Sequence, residues 1–352
     1  MRVLSPIDFS IRMFAMTGLA LALVWTYVGV AKLAFLPGGY PSWLAKMSIM
    51  SECKAGGIDF FGNSRVEAGI KSDVIGPEIN NLGVAGGSPI EIAAGVKRVL
   101  TCPDKPVMVV IGVDAMQFVS VNRDFWVESI GYGFIRPTDI LDMEHEAARL
   151  DDRTTLWEAK TSDGLSGWVR DWFYAAQFPS IYFANLVKGQ IFRRYGENKI
   201  RYKQILRARG FVPYPVLPAT NDPGPEGLAK SFVHTPLQTA MFRQTLSILQ
   251  NSDIPVVLFM MPVKRSIYDG MAPATRAAFF AYLHDLTESF HNIRLASYDI
   301  PVWPGTMFTD NVHLNQIGAD QFSRLLATCF LGTTFKTPCV LSYVPVVAAK
   351  VE

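Results

Sequence analysis

Histidine and cysteine are scarce in this chain: five and four residues, respectively, among 352. The cysteines stand at 53, 102, 329 and 339, form no C-x-x-C pair and lie far from the histidines, which excludes the usual zinc spacings. Charged residues make up only 18%, and 33 basic residues nearly balance 31 acidic ones, for a net charge of +2. No long basic run occurs, so the chain lacks the electrostatic footprint of a nucleic-acid binder. No internal repeat or low-complexity tract stands out. No cofactor or metal is expected.

Apolar residues are plentiful, at 49%. A chain of this length can bury one large core or two smaller ones. Met13 to Ala31 reads "MFAMTGLALALVWTYVGVA" without a charge. At 1.5 Å per residue it spans roughly 28 Å, close to a bilayer core. The following "VAKLAFLPGG" offers no small-x-small cleavage site, so an uncleaved anchor is preferred to a signal peptide. Arg2 and Arg12 precede the run and should stay in the cytoplasm, which sends the remainder outward, although Lys32 and Lys46 on the far side count against that orientation. Trp25 and Tyr27 lie inside the run and make a poor interfacial belt there. The expected organisation is a cytoplasmic stub and anchor over 1–36, then one domain over 37–352.

Within that domain, apolar runs alternate with amphipathic ones. "GIDFF", "EINNLGV", "PVMVVIGV", "IPVVLFMM" and "IRLASYDI" read as strands, and "PIEIAAGVKRVL", "PLQTAMFRQTLSILQNS", "PATRAAFFAYLHDLTESF" and "NQIGADQFSRLLATCFL" as helices. Unbroken apolar strands suit a sheet covered on both faces, and the alternation predicts an α/β three-layer sandwich with a mostly parallel central sheet. The pattern fails between about 122 and 235. This stretch, rich in aromatics and Arg, is expected to be a mostly helical insertion, either with a small core of its own, lining a groove for an extended polar ligand, or lying near lipid headgroups.

Two short stretches carry chemistry. "DFFGNSRVEAG" places Ser64 on a Gly-Asn-Ser turn between a strand and a helix, and "FTDNVHLNQIGADQF" places Asp310 three residues before His313. Read alone, Ser64 is an ordinary helix cap and Asp310 and His313 ordinary loop residues. Together they supply a weak nucleophile, a base to activate it, and a carboxylate to orient the base. Loops leaving the C-terminal ends of parallel strands converge on one edge, so residues this distant in sequence can meet.

In these motifs the chain resembles the SGNH (GDSL-like) hydrolase superfamily, over roughly Gly57 to Leu331 with the insertion excluded. Gly62-Asn63-Ser64 matches the block bearing the nucleophile, with Asn63 in place of the usual Asp. "NLGVAGG" matches the second block through Asn81 and Gly86, and Asp310 and His313 match the last. The resemblance implies catalysis by Ser64, His313 and Asp310, with the amides of Ser64 and Gly86 binding the oxyanion. The third block departs from the pattern: "VIGVDAMQF" has Gly112, Val113 and Asp114 where the family has G-x-N-D, leaving Asp114 or Gln117 as substitute oxyanion or substrate contacts. Membrane-anchored members of cell-envelope pathways share this layout. By that analogy the expected function is a periplasmic esterase or O-acyltransferase on an envelope or exopolysaccharide glycan, cellulose acylation included. Its expected partners are inner-membrane lipid and a membrane acyl-transfer protein or polysaccharide synthase. The alternative is a non-catalytic scaffold of such a synthase. Lys264 and Arg265 are placed to meet an anionic substrate or simply to be solvated. Cys329 and Cys339 are a possible disulfide or free thiols.

Overall fold

The structure is a computed structural model that describes residues 5–119, 121, 125–152, 155–156, 191–218, 230–331, 334–336 and 338–343. Helix α1 (Pro6–Val30) opens it, capped by the Ser5 hydroxyl, which accepts from the Asp8 amide. Its 25 residues run roughly 37 Å. The segment Pro6–Val24 is long and apolar enough to cross a membrane, and none of it is buried in the rest of the chain. The helix is longer than a hydrocarbon core of about 30 Å, and Trp25 and Tyr27 follow this segment.

Two further helices follow, α2 (Lys32–Phe35) and α3 (Tyr40–Ser51). The chain then alternates: β1 (Ile58–Phe61), α4 (Ser64–Gly69), β2 (Ile79–Asn81), α5 (Pro89–Val99) and β3 (Met108–Val113). Helix α5 begins with a capping box in which Ser88 and Glu91 satisfy each other's end of the first turn. Within the interruption expected at 122–235, the described elements include α6 (Pro137–Arg149) and α7 (Ile191–Arg207). Residues 157–190 and 219–229, which hold most of its aromatic and Pro-Gly-rich sequence, lie outside the described residues. Alternation resumes with α8 (Pro236–Asn251), β4 (Val256–Met260), α9 (Pro273–Ser289), β5 (Ile293–Leu295) and α10 (Gln316–Ala327).

The five strands form one sheet in the order β2-β1-β3-β4-β5, and every pairing is parallel. Because side chains alternate across a strand, each strand supplies two cores. Phe61, Val109, Ile111, Leu258 and Met260 join the core under α3, α5, α8 and α9. Phe60, Val110, Val257 and Phe259 join the core under α4 and α10. Helices thus cover both faces of the sheet, as the apolar strands require. Two disulfides add covalent links: Cys329–Cys339, foreseen as one option, and Cys53–Cys102, which was not foreseen.

One buried acid lies in this sheet. Asp59, in β1, accepts one hydrogen bond from Asn80 Nδ2 at 2.8 Å, while its Oδ2 has no partner among the described residues. Burial pushes its carboxyl up to about 7, against the smaller effect of the Asn80 bond. The folded protein therefore holds a proton that the unfolded chain has already lost above its ordinary carboxylate range. The stability this group contributes is fully present below about pH 4 and is lost as pH rises through about 7. Asp59→Asn should remove that slope and raise stability near pH 8 by on the order of 2–4 kcal/mol. Urea unfolding of both proteins in detergent at several pH values measures it; an unchanged slope in the variant would refute the assignment.

Candidate active site

The strand order reverses direction between β1 and β3, and in open parallel sheets the crevice at such a reversal is where ligands bind. Both β1 and β3 end there. After Phe61 the chain turns at Gly62, whose φ of 152° lies where side chains are strongly disfavoured, and a Cβ there would meet Val66 Cγ2 at 2.5 Å. Asn63 then caps α4, its Oδ1 accepting from the Arg65 amide at 3.0 Å. That bond leaves the Asn63 Nδ2 facing away from the helix, and it donates to Asp114 Oδ2 at 2.6 Å. The ends of β1 and β3 are thereby tied together. Ser64 follows as the first helical residue, with no intrahelical acceptor for its N–H.

His313 arrives from the other end of the chain. Phe308 and Leu314 bridge as an antiparallel pair, and the Thr309 amide donates to the His313 carbonyl at 2.9 Å, closing a tight loop. Asn315 holds this loop to α10. Its Oδ1 accepts from the Ile317 and Gly318 amides, and its Nδ2 donates to the carbonyls of Thr306 and Phe308.

The three expected residues meet. Ser64 Oγ lies 2.7 Å from His313 Nε2, and His313 Nδ1 lies 2.7 Å from Asp310 Oδ2. Asp310 Oδ1 also accepts from the Val312 and His313 amides at 3.0 and 2.9 Å. Burial pushes the Asp310 carboxyl up, but its bonds to the His313 ring and to these two amides, with the ring's charge, outweigh that and hold it at about 2. It is therefore an anion across the neutral range, able to fix one imidazole tautomer and to stabilise the ring once protonated. Arg65 is buried beside the site. Burial pushes its guanidinium down while the charges of Asp114 and Asp310 pull the other way.

Gly86 has a left-handed φ of 64°, a conformation suited to glycine, in the loop after β2. No hydrogen bond occupies its amide among the described residues. Asn81 does not reach Ser64; it is buried and bonds the carbonyls of Val66, Glu67 and Ile70 and the amide of Gly83, bracing α4. Asp114 is likewise committed: its Oδ2 to Asn63, and its Oδ1 to the amides of Met116 and Gln117. As an acceptor on both oxygens it offers no donor to an oxyanion. Gln117 Oε1 accepts from the Asp114 amide, while its Nε2 is buried without a partner among the described residues. Val113 is buried in the core, so an amide placed there would lack partners. Lys264 is buried with its ammonium over the Phe308 ring, and Arg265 pairs with Asp269 on the surface.

Three contributors had no motif to mark them. Tyr214 lies with its ring centroid 4.9 Å from that of His313. Burial, reinforced by the charges of Glu67 and Asp310, pushes its hydroxyl well above its ordinary range, so it stays protonated. Lys46 and Glu67 form a buried pair at 3.1 Å. Lys46 also donates to the Gly83 carbonyl, and Ser42 to Glu67, so α3 is bonded both to the helix that begins at Ser64 and to the loop leading to Gly86. Such pairs join residues far apart in sequence and of common types.

The Asn63–Asp114 bond has a strict polarity that yields a test. Asn63→Asp sets two carboxylates against each other, and Asp114→Asn sets two amide nitrogens against each other. The double exchange restores one donor facing one acceptor while keeping the cap. Each single variant should lose about 1–3 kcal/mol and slow any reaction of Ser64, and the double variant should recover most of both. Denaturant midpoints for the four proteins give the coupling; strictly additive losses would show that the contact does not hold the turn.

Comparison with protein-family models gives no match, and neither does comparison with curated proteins. What can be said of this site therefore comes from its own geometry.

Proposed function

We propose that the chain is a serine esterase or O-acyltransferase of the SGNH type, held in the inner membrane by α1 with its main domain in the periplasm. Its substrate would be an acyl ester of a cell-envelope or exopolysaccharide glycan, cellulose included, supplied through a membrane acyl-transfer or synthase partner. The observation that carries this reading is the continuous relay from Ser64 Oγ through His313 to Asp310 at the C-terminal edge of a parallel sheet.

In this reading Ser64 Oγ attacks the acyl carbonyl as His313 Nε2 takes its proton. Negative charge gathers on the carbonyl oxygen, and the amides of Ser64 and Gly86 are the donors for it. Collapse breaks the ester bond, and His313 returns the proton to the departing alcohol, leaving an acyl-serine. Water or a sugar hydroxyl, deprotonated by His313, then attacks the acyl carbon and frees Ser64. Water gives an esterase and a sugar hydroxyl a transferase. Support for the location comes from the apolar helix before the domain and from two disulfides, which persist outside reducing compartments. A non-catalytic scaffold is the second reading, favoured by one observation: Asp114 stands in the third block with no hydrogen to give.

A fluorophosphonate probe should label the wild-type protein in membranes. Ser64→Ala should abolish labelling, His313→Ala should slow it by about 10³-fold or more, and Asp310→Asn by about 10²–10⁴-fold, with thermal unfolding little changed. An unlabelled wild-type protein would favour the scaffold. Incubation with an activated acetyl ester and cello-oligosaccharides then separates free acetate from acetylated sugar by mass.

A reporter fused after Glu352 should be active in the periplasm and silent in the cytoplasm, since Arg2 and Arg12 should hold the N-terminus inside. The opposite pattern would remove the envelope substrate from consideration.

A further inference from the structure

The basic sequence of α7 has no part in the chemistry above, yet its position is unusual. Helix α7 lies along α2 and α3, the first elements after α1. Asn198 Nδ2 donates to the carbonyls of Leu33 and Leu36 at 2.9 and 3.0 Å. Further along, Arg201 lies beside Gly38, Tyr202 bonds Ser48 at 3.0 Å, and Ile205 packs with Ala45. From Ile205 back to Asn198 the partners of α7 move from α3 to α2, so its N-terminal half is the part toward the end of α1.

That half carries Arg193, Arg194 and Lys199 against a single acid, Glu197, which pairs with Arg193, and Ile200 and Arg201 follow it directly. Lys199 and Arg201 are exposed and have no carboxylate partner among the described residues. Tyr195 and Ile200 are exposed large apolar residues on the same stretch, with the Lys199 ammonium over the Tyr195 ring. Cations mixed with an aromatic and an aliphatic residue, fixed within a few residues of a membrane-crossing helix, match an anionic lipid surface. We propose that the N-terminal half of α7 rests on the anionic headgroups of the bilayer that α1 enters. This rests on the reading of α1 as an anchor and is independent of the chemistry at Ser64.

The contact has a consequence for the site. From α7 the chain continues through Val212, whose amide donates to the Glu67 carbonyl at 3.2 Å, to Tyr214 against His313. A helix seated on headgroups would therefore fix the height and tilt of the relay above the membrane. A polyanionic glycan would suit the same charges and could stack on Tyr195, but it has no use for the exposed aliphatic Ile200.

The test uses the full chain, inserted in vesicles of phosphatidylcholine alone or with added phosphatidylglycerol. Gly196 has open space where a side chain would go, and all four cysteines are in disulfides, so Gly196→Cys gives one labelling site. A fluorophore there should be quenched by a headgroup-borne nitroxide more strongly in the anionic vesicles, and high salt should remove the difference. Replacing Arg193, Lys199 and Arg201 by Gln should shift the docking equilibrium roughly fivefold per charge, on the order of 10²-fold together. Gln at Arg207 should matter much less, because Arg207 lies roughly 14 Å along the axis from Asn198, beyond a screening length of about 8 Å. Quenching independent of lipid charge, in protein that still floats with both vesicles, overturns the proposal and spares the anchor. Protein that fails to float with neutral vesicles overturns both. Protection of the label by a soluble acidic glycan, without dependence on lipid charge, assigns the surface to glycan instead.

Discussion

Val66 occupies a notch that only glycines can make. A Cβ at Gly62 would lie 2.5 Å from its Cγ2, one at Gly112 2.3 Å, and one at Gly83 2.9 Å from its Cβ. These glycines come from the end of β1, the end of β3 and the loop after β2. Val66 therefore seats α4 directly on the strand ends, with no layer of side chains between. The position of Ser64, two residues earlier, follows from that close approach, and so does the distance to any residue brought in from the last loop.

Polar contacts then fix what the packing has brought together. Asn63 and Asp114 join the ends of β1 and β3, Asn81 ties off the far end of α4, and Lys46 with Glu67 ties the same helix to α3. Lys46 is fully buried, and burial pushes its ammonium down while Glu67 opposes the shift. Breaking such a pair on one side leaves a charge with no partner and is costly, about 3–5 kcal/mol for buried pairs in general. The helix bearing Ser64 is thus clamped at its start, its middle and its end.

How much of this was legible in the sequence depended on distance along the chain. The strands were readable because a sheet covered on both faces demands unbroken apolar runs such as "VMVVIG", whereas the cap of α4 falls on Asn63, one residue before the Ser64 that the sequence offered for it. Ser64, Asp310 and His313 were readable because each sits in a short stretch with its own turn chemistry. The strand order, the Lys46–Glu67 pair, the Cys53–Cys102 link and Tyr214 over His313 were not, since each depends on which elements become neighbours. Asp114 shows a subtler limit. Its place in a motif suggested a substrate contact, but the Asn63 cap dictates which atom faces it, and its lone pairs are taken up within the turn.

The hydroxyl and the imidazole of the relay are 249 residues apart, one just after the first strand and the other just before the last described helix. While the chain is being made and threaded from its N-terminus, Ser64 is an ordinary alcohol with no base beside it. Reactivity would come only when nearly all of the polypeptide has emerged and the final loop has closed against the sheet. A ribosome that stalls, or a protease that trims the tail before His313, leaves behind a fragment in which Ser64 has no base beside it.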